Sequence, residues 1–168
     1  RLNRIDGIVQ QYIDSQWIAG GTAIIARNGI IVYHKAFGAS NAETKKPEKI
    51  DDIFRIASQT KAITSVAVMI LFEEGKLLLD DPISKYIPAF AGQQVIDKFN
   101  DADTSFTTVK ARRGETIRDL LTHTSGIGYA QIGSPRAKAM YAKAGVNSQI
   151  GTPNESLKNQ VIKIAALP

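Results

Sequence analysis

The chain has 168 residues, of which 43% are hydrophobic and 22% charged, with no cysteine and a formal net charge of +5. This length predicts one domain with its own core, and the balance of residue types excludes a disordered or collagen-like chain. The lack of cysteine excludes disulfides, zinc–thiolate sites and a cysteine nucleophile. The positive charge is compatible with nucleic-acid or membrane binding, a hypothesis that depends on how the charges are distributed.

The first part of the chain predicts a helix followed by a β-hairpin. Apolar residues recur at helical spacing over residues 3–17, where Ile5, Ile8, Val9, Tyr12 and Ile13 form one face. A Gly-Gly pair at 20–21 ends this helix. Residues 22–27 and 30–37 then predict two strands, because the Asn-Gly pair between them is typical of a two-residue hairpin turn. Residues 39–52 are polar and predict a surface loop.

The next segment, residues 58–74, is apolar nearly all round and predicts a central, buried helix. Gly75 is suited to its left-handed C-terminal position. The longest apolar run, 62–72, is shorter than the roughly 20 residues of a membrane-spanning helix, so no span is predicted.

The remaining elements are predicted from caps, breakers and periodicity. They are a short helix from Asp81-Pro82 to about Tyr86, a strand over 105–112, a helix opened by a capping box at Thr116 and Asp119, an irregular region over 127–153 with about one helical turn, and a last helix capped by Asn154 with Leu157, Val161 and Ile164 on one face.

The clearest candidate for chemistry is the Ser-Gln-Thr-Lys run at the start of the apolar helix. Ser58 and Lys61 are three residues apart, which on a helix places them on one face and lets the amine reach the hydroxyl. A helix N-terminus also supplies unpaired N–H groups that stabilise negative charge. A lysine that acts as a base must be uncharged, a state that burial and nearby positive charge favour.

The spacing alone carries little weight. With ten serines and thirteen lysines in the chain, about one Ser-x-x-Lys pair is expected by chance. The context strengthens the hypothesis, because a lysine inside an otherwise apolar helix is costly unless it has a partner or a task.

Four blocks carry a resemblance to a known family: FRIASQTKAIT at 54–64, LFEEGKL at 71–77, LDDPI at 79–83 and IRDLLTHTSGI at 117–127. Together they resemble the serine β-lactamase and penicillin-binding superfamily, most closely its class C β-lactamase and esterase branch. The resemblance implies an α+β fold, with an antiparallel sheet and a helical lobe, and a serine hydrolase that needs no cofactor. It also implies that Ser58 is the acylated nucleophile and that Lys61 handles its proton.

The sequence departs from the family pattern in two motifs. Family members have a Tyr-x-Asn or Tyr-x-Ser motif and a late Lys-Thr-Gly or His-x-Gly motif, and neither is found here. Tyr129-Ala130-Gln131 comes nearest, but it follows Gly126 too closely for the family order and is therefore not assigned. We expect the chain to be the N-terminal portion of a larger catalytic domain, with a helix and hairpin over 1–38 and a nucleophile helix and helical lobe over 54–168. On this hypothesis, the apolar surface of Ala23, Ile25, Ile31 and the Ser58 helix needs partner residues from the rest of that domain.

Other functions remain as alternatives. A non-catalytic relative could use the same fold for binding or as a scaffold, and a nucleic-acid module could use the positive charge. The charges are scattered, however, and no aromatic interleaving accompanies them, so a solvated surface and no nucleic-acid partner are predicted. His123 is expected to complement a helix C-terminus and His34 to lie at the surface, and no metal site is predicted. The expected partner is a small ester, amide or β-lactam substrate, and the resemblance favours a periplasmic or exported location.

Overall fold

In the computed structural model, residues 1–147 and 154–168 are described, so part of the region predicted to be irregular, 148–153, lies outside the described residues. The chain divides into two units, Arg1–Ser58 and Gln59–Pro168, which are considered separately. The division predicted from sequence, at 1–38 and 54–168, stays a prediction.

The first unit begins with helix α1, Arg4–Asp14, which ends earlier than predicted. Gln16 adopts a left-handed conformation with φ of 59° and the Trp17 amide donates to the Tyr12 carbonyl, so the chain turns away from the helix. Ile5, Val9 and Ile13 are half-buried. Ile8 and Tyr12, predicted to lie on the same buried face, are instead 57% and 43% exposed, because a helix of this length presents only one narrow stripe to the hairpin.

Strands β1, Gly20–Arg27, and β2, Ile30–Asn41, form the predicted antiparallel hairpin. Asn28 and Gly29 have φ of 51° and 76°, the two positive values that a type I′ turn requires. At the far end Gly20 pairs with Gly38, and a Cβ on Gly20 would lie 2.5 Å from the Ala39 nitrogen. Residues at both ends therefore define the hairpin: Asn28 and Gly29 adopt the positive φ values of the turn, and the absence of a side chain on Gly20 allows the close approach of Ala39.

A contact with α1 holds one face of the hairpin. Tyr33 is buried and its hydroxyl donates to the Asp6 carboxylate at 2.5 Å, while the Lys35 ammonium lies 2.5 Å from the other oxygen of Asp6. Burial, and then the bond to Asp6, raises the pKa of Tyr33 to about 12. The bonds from Lys35 and Tyr33 lower the pKa of Asp6.

Strand β2 is longer than predicted and pairs with a third strand, β3, Lys46–Pro47, inside the segment predicted to be a loop. The prediction of a pure surface loop was wrong because a two-residue strand leaves no periodic pattern in the sequence.

The second unit begins with helix α2, Gln59–Glu73, followed by Gly75 with the predicted positive φ of 68°. The segment that follows makes two 3₁₀ turns, Ile83–Lys85 and Pro88–Phe90, and the first of them lies where the sequence predicted a short helix. Pro82 is extended, with ψ of 141°, so Asp81 does not cap a helix and instead accepts from the Leu78 amide at 2.9 Å.

A second hairpin consists of β4, Gln94–Phe99, and β5, Phe106–Lys110, and β5 confirms the predicted strand over 105–112. Three helices follow: α3, Ile117–Leu121, α4, Pro135–Lys143, and α5, Leu157–Ala165. Helix α4 has nine residues, more than the predicted single turn, because Ser134 caps it and Pro135 occupies its first turn. Ser156, and not Asn154, caps α5.

The core of this unit is small. Ile83, Phe90 and Ala165 are buried together, with Val161 packed against them. Leu157 is 80% exposed, so the predicted common face of α5 is reduced to Val161 and Ile164, which are half-buried. None of the helices in the described residues is both long enough and apolar enough to cross a membrane.

Candidate active site

The predicted nucleophile and its partner lie at the start of α2. Ser58 is the residue directly before the helix, and Lys61 is the third residue within it. The preceding residue, Ala57, has φ of 45°, a left-handed conformation that costs a residue with a side chain roughly 1–2 kcal/mol. The backbone therefore turns sharply just before it enters the helix.

Helix α2 is not buried by the described chain, contrary to the prediction of a central, buried helix. No residue of α2, all of which is described, is buried, and Ile63 and Val66 are 62% and 60% exposed. Its sequence is apolar enough for a core, but composition alone does not specify what covers it. Ile31 is likewise 57% exposed, whereas Ala23 and Ile25 are half-buried on the face of the hairpin that carries Tyr33.

One contact joins Lys61 to the loop between α3 and α4. The Lys61 ammonium lies over the ring of Tyr129, 5.5 Å from its centroid, which is within the range of a cation–π interaction. Tyr129 is the tyrosine that the sequence analysis left unassigned because of its spacing from Gly126. The structure therefore places it beside a predicted site residue through a contact that spacing along the chain does not reveal.

The loop that carries Tyr129 begins at α3, which Asp119 organises. Thr116 and Asp119 form the predicted capping box, with the Thr116 hydroxyl accepting from the Asp119 amide at 3.2 Å and the Thr116 amide donating to the Asp119 carboxylate at 2.9 Å. Arg113 adds two bonds to the same carboxylate, at 2.5 and 2.9 Å. Arg113, and then the Thr116 amide and hydroxyl, lower the pKa of Asp119, which is only 8% exposed.

Two of the sequence blocks meet beside this helix. The Ile83 amide donates to the Glu115 carbonyl, and the Arg118 amide donates to the Leu79 carbonyl, both at 2.8 Å. The Arg118 guanidinium also makes two bonds to the Asp80 carboxylate, at 2.7 and 3.1 Å. The 79–83 and 117–127 blocks thus form one structural element, which supports the start of the loop.

The two histidines are not part of this arrangement. His123 is exposed and has φ of 59°, and its amide donates to the Leu120 carbonyl at 3.3 Å, so it belongs to the turn that ends α3. His34 is exposed on β2. Across the described residues, no group of three or more histidines and carboxylates is placed to hold a metal ion.

A feature that the sequence analysis missed lies in the first unit. A cavity of about 470 Å³ is lined by residues of the segment 40–55, among them Glu48 and Asp52. Burial, and then the neighbouring Asp52, raises the pKa of Glu48, and one Glu48 oxygen is buried without a hydrogen-bond partner among the described residues. Glu48 and Asp52 lie four residues apart in a segment predicted to be a surface loop, and nothing in that pattern predicts that a Glu48 oxygen is buried.

Comparisons with known proteins decide the family. A model of the β-lactamase family matches residues 5–157. The chain belongs to the β-lactamase family. Over 98% of this chain, it is 33% identical to the esterase EstB of Burkholderia gladioli. Over 82% of this chain, it is 34% identical to a lovastatin esterase of Penicillium rubens.

Among solved structures, the chain is similar to EstCE1, described as a hydrolase with promiscuous acyltransferase activity, with a TM-score of 0.74 and 31% identity over 98% of the chain. It spans 38% of EstB, 36% of the lovastatin esterase and 39% of EstCE1. The resemblance to the serine β-lactamase and penicillin-binding superfamily is confirmed, and so is the α+β fold of the β-lactamase and transpeptidase type, here with small antiparallel sheets and helices.

Proposed function

We propose that the protein that contains this chain is a serine hydrolase that forms an acyl-enzyme at Ser58. The observation that carries the proposal is that a β-lactamase-family chain places Ser58 directly before an apolar helix and Lys61 within its first turn. The first N–H groups of a helix lack partners within the helix, and its dipole is positive at that end. Both features favour an alkoxide and the oxyanion that it generates.

In the proposed reaction, the Ser58 oxygen attacks the carbonyl carbon of the substrate while the Lys61 amine accepts the hydroxyl proton. The tetrahedral intermediate then collapses as the bond to the leaving group breaks, and the leaving alcohol or amine takes the proton from Lys61. Water next attacks the acyl-enzyme, which releases the acid and returns the proton to Ser58. No cofactor enters this sequence.

The proposed substrates are small esters, amides or β-lactams. The names of the relatives favour an ester, since EstB and the lovastatin esterase are both described as esterases. The description of EstCE1 as a hydrolase with acyltransferase activity fits an acyl-enzyme that an alcohol can resolve in place of water. Placement in the class C branch and an exported location stay predictions.

The proposed partner of α2 is the rest of the catalytic domain. Ile63, Val66 and Ile70 are 62%, 60% and 48% exposed in this chain, and burying such side chains contributes about 1.5–3 kcal/mol each. The relatives are more than twice as long as this chain, which leaves ample sequence to cover these faces.

The test uses the complete protein, a fluorophosphonate and a penicillin, followed by intact mass and peptide mapping. We expect one adduct, located on Ser58, that is lost in Ser58→Ala and retained in Ser65→Ala, a matched substitution further along α2. If neither probe labels Ser58 in a folded protein, the hydrolase proposal fails and a non-catalytic member of the family becomes the better description.

A further inference from the structure

The contact between Lys61 and Tyr129 connects a proposed site residue to a distant part of the chain. Both residues lie in the second unit, 68 positions apart in sequence. The ammonium lies over the ring at 5.5 Å, and the ring is 37% exposed. A cation within about 6 Å of a ring centroid is attracted by the negative face of the ring.

The backbone beside Tyr129 is anchored. The amide of the preceding residue, Gly128, donates to the hydroxyl of Tyr141 at 3.0 Å. Tyr141 is only 5% exposed and belongs to α4, whose N-terminus is fixed by Ser134 and Pro135. The position of the Tyr129 ring therefore depends on a buried hydroxyl in a capped helix.

The loop is also held at its other end. The Thr124 amide donates to the Asp119 carbonyl at 2.9 Å, and the Ile127 amide donates to the Ser125 hydroxyl at 3.3 Å. Because Asp119 is itself fixed by the capping box and by Arg113, the loop leaves α3 in a defined direction. Tyr129 thus lies between two anchored points, one on each flanking helix.

We propose that Tyr129 is a positioning residue for Lys61, and that Tyr141 positions Tyr129 in turn through Gly128. This inference rests on the proposed function, in which Lys61 carries the Ser58 proton. A lysine side chain has four rotatable bonds and loses substantial rotamer entropy when it is fixed in one place. The ring face restricts where the Lys61 side chain lies and stabilises the ammonium that forms when the Lys61 amine takes the proton of Ser58.

The proposal gives the ring a role that needs no hydroxyl. A tyrosine that accepts or donates a proton would lose its function in Tyr129→Phe, whereas a ring that holds an ammonium would keep it. At Tyr141, by contrast, the hydroxyl is the group that matters. Its oxygen accepts a hydrogen bond from the Gly128 amide, and Tyr141→Phe removes that bond while it keeps the ring.

The first test measures the rate of Ser58 acylation by a fluorophosphonate in the complete protein, resolved into the binding constant of the probe and the rate constant of the chemical step. We expect Tyr129→Leu to lower the rate constant about 2- to 5-fold, as expected for a cation–π interaction at an exposed site, with the binding constant unchanged. Tyr129→Phe should remain within about twofold of the wild type, and Tyr141→Phe should fall between the two.

If Tyr129→Phe is as slow as Tyr129→Leu, or if only the binding constant changes, the proposal is overturned. Equal slowing by the two variants would mean that the Tyr129 hydroxyl, and not its ring face, acts on Lys61. A change in the binding constant alone would mean that Tyr129 contacts the substrate. A variant that loses its cooperative unfolding transition is replaced by Tyr129→Met, which keeps the apolar volume and removes the ring.

A second test does not depend on activity. The ring current of Tyr129 should shift the NMR signals of the Lys61 side-chain protons, and this shift should be retained in Tyr129→Phe and lost in Tyr129→Leu. If Ser58 is labelled and the shift is missing, the inference fails and the proposed function stands. If the shift is present and Ser58 is never labelled, the contact stands, but the proposed function fails and the role of Tyr129 in that reaction fails with it.

Discussion

Helices α2 and α3 begin in opposite ways. Helix α3 has five residues. Its start is defined by the Asp119 carboxylate, which accepts bonds from Thr116 and Arg113, and Asp119 is only 8% exposed. Helix α2 has fifteen residues, is mostly apolar, and starts directly after the left-handed Ala57. In α3 a polar side chain, that of Asp119, is buried, while in α2 apolar side chains such as Ile63 and Val66 are exposed.

This difference shows which contacts each helix depends on. All the bonds described at the start of α3 lie within the seven residues from 113 to 119. The stability of this helix should therefore respond to changes in those side chains and to pH. The stability of α2 depends on the burial of its apolar faces, because helices in proteins gain most of their stability from packing. The two regions are nevertheless connected at the proposed site, where Tyr129 of the loop after α3 contacts Lys61 on α2.

The largest expected effect concerns the chemistry on α2. Lys61→Met should slow acylation of Ser58 by about 10²- to 10⁴-fold, because a positioned base contributes that much to proton transfer. The measurement is the rate of fluorophosphonate labelling of the complete protein. Lys158→Met, a substitution of an exposed lysine on α5, is the matched control and should label at the wild-type rate. Equal rates for the two variants would remove Lys61 from the mechanism.

The second prediction concerns the packing of α2. If the rest of the catalytic domain covers this helix, Ile63→Ala should lower the free energy of unfolding of the complete protein by about 2–4 kcal/mol, the cost of removing buried methyl groups. Ile30→Ala, next to the hairpin turn and 66% exposed, should change it by only about 0.5 kcal/mol. Denaturant unfolding measures both, and a small effect at Ile63 would mean that this face of α2 stays exposed.

The sequence predicted the parts of the fold whose cause is local. The Asn28-Gly29 turn, the Gly75 position and the Thr116–Asp119 capping box each depend on residues within a few positions of one another, and all three are present as predicted. Strand β4 and the short strand β3 were missed because neither shows a regular alternation. The predicted cap of α5, Asn154, lies two residues before the residue that caps the helix, Ser156.

The candidate site was predictable only in part, for a similar reason. The pair of Ser58 and Lys61 is a prediction from spacing and family resemblance, both of which are readable from a single stretch of sequence. Tyr129 was set aside because its position along the chain did not fit the family order, yet its ring contacts Lys61 through a loop whose path is set by Asp119 and Tyr141. The exposure of α2 likewise depends on which other residues cover it, and the periodicity of the helix does not contain that information.

The third prediction tests the polar start of α3 through pH. Its partners lower the pKa of Asp119 in the folded protein below the unfolded value of about 3.9. A depressed carboxyl pKa stabilises the fold above the unfolded pKa, and this stabilisation is lost as the pH falls from about 4 toward the folded value. The wild type should therefore be more stable than Asp119→Asn at pH 5–7, and the difference should shrink between pH 4 and pH 2.

The measurement is the denaturant midpoint of both proteins across this pH range. Asp97→Asn is the matched control, because Asp97 is exposed on β4 and its substitution should leave a small and constant difference. If the gap between wild type and Asp119→Asn stays the same down to pH 2, ionisation of Asp119 does not stabilise this helix.

The smallest expected effect lies at the start of α2. Ala57→Gly removes the side chain from a left-handed residue, which relieves about 1–2 kcal/mol of backbone strain, while the greater freedom of glycine in the unfolded chain offsets about 0.4–1 kcal/mol. The net result should be a gain in stability of between zero and about 1.6 kcal/mol, measured by denaturant unfolding. Ala62→Gly, inside α2, should instead lose about 0.5–1 kcal/mol. If both variants lose stability equally, the left-handed turn does not persist in the complete protein, and the contrast between the strained start of α2 and the capped start of α3 would be lost.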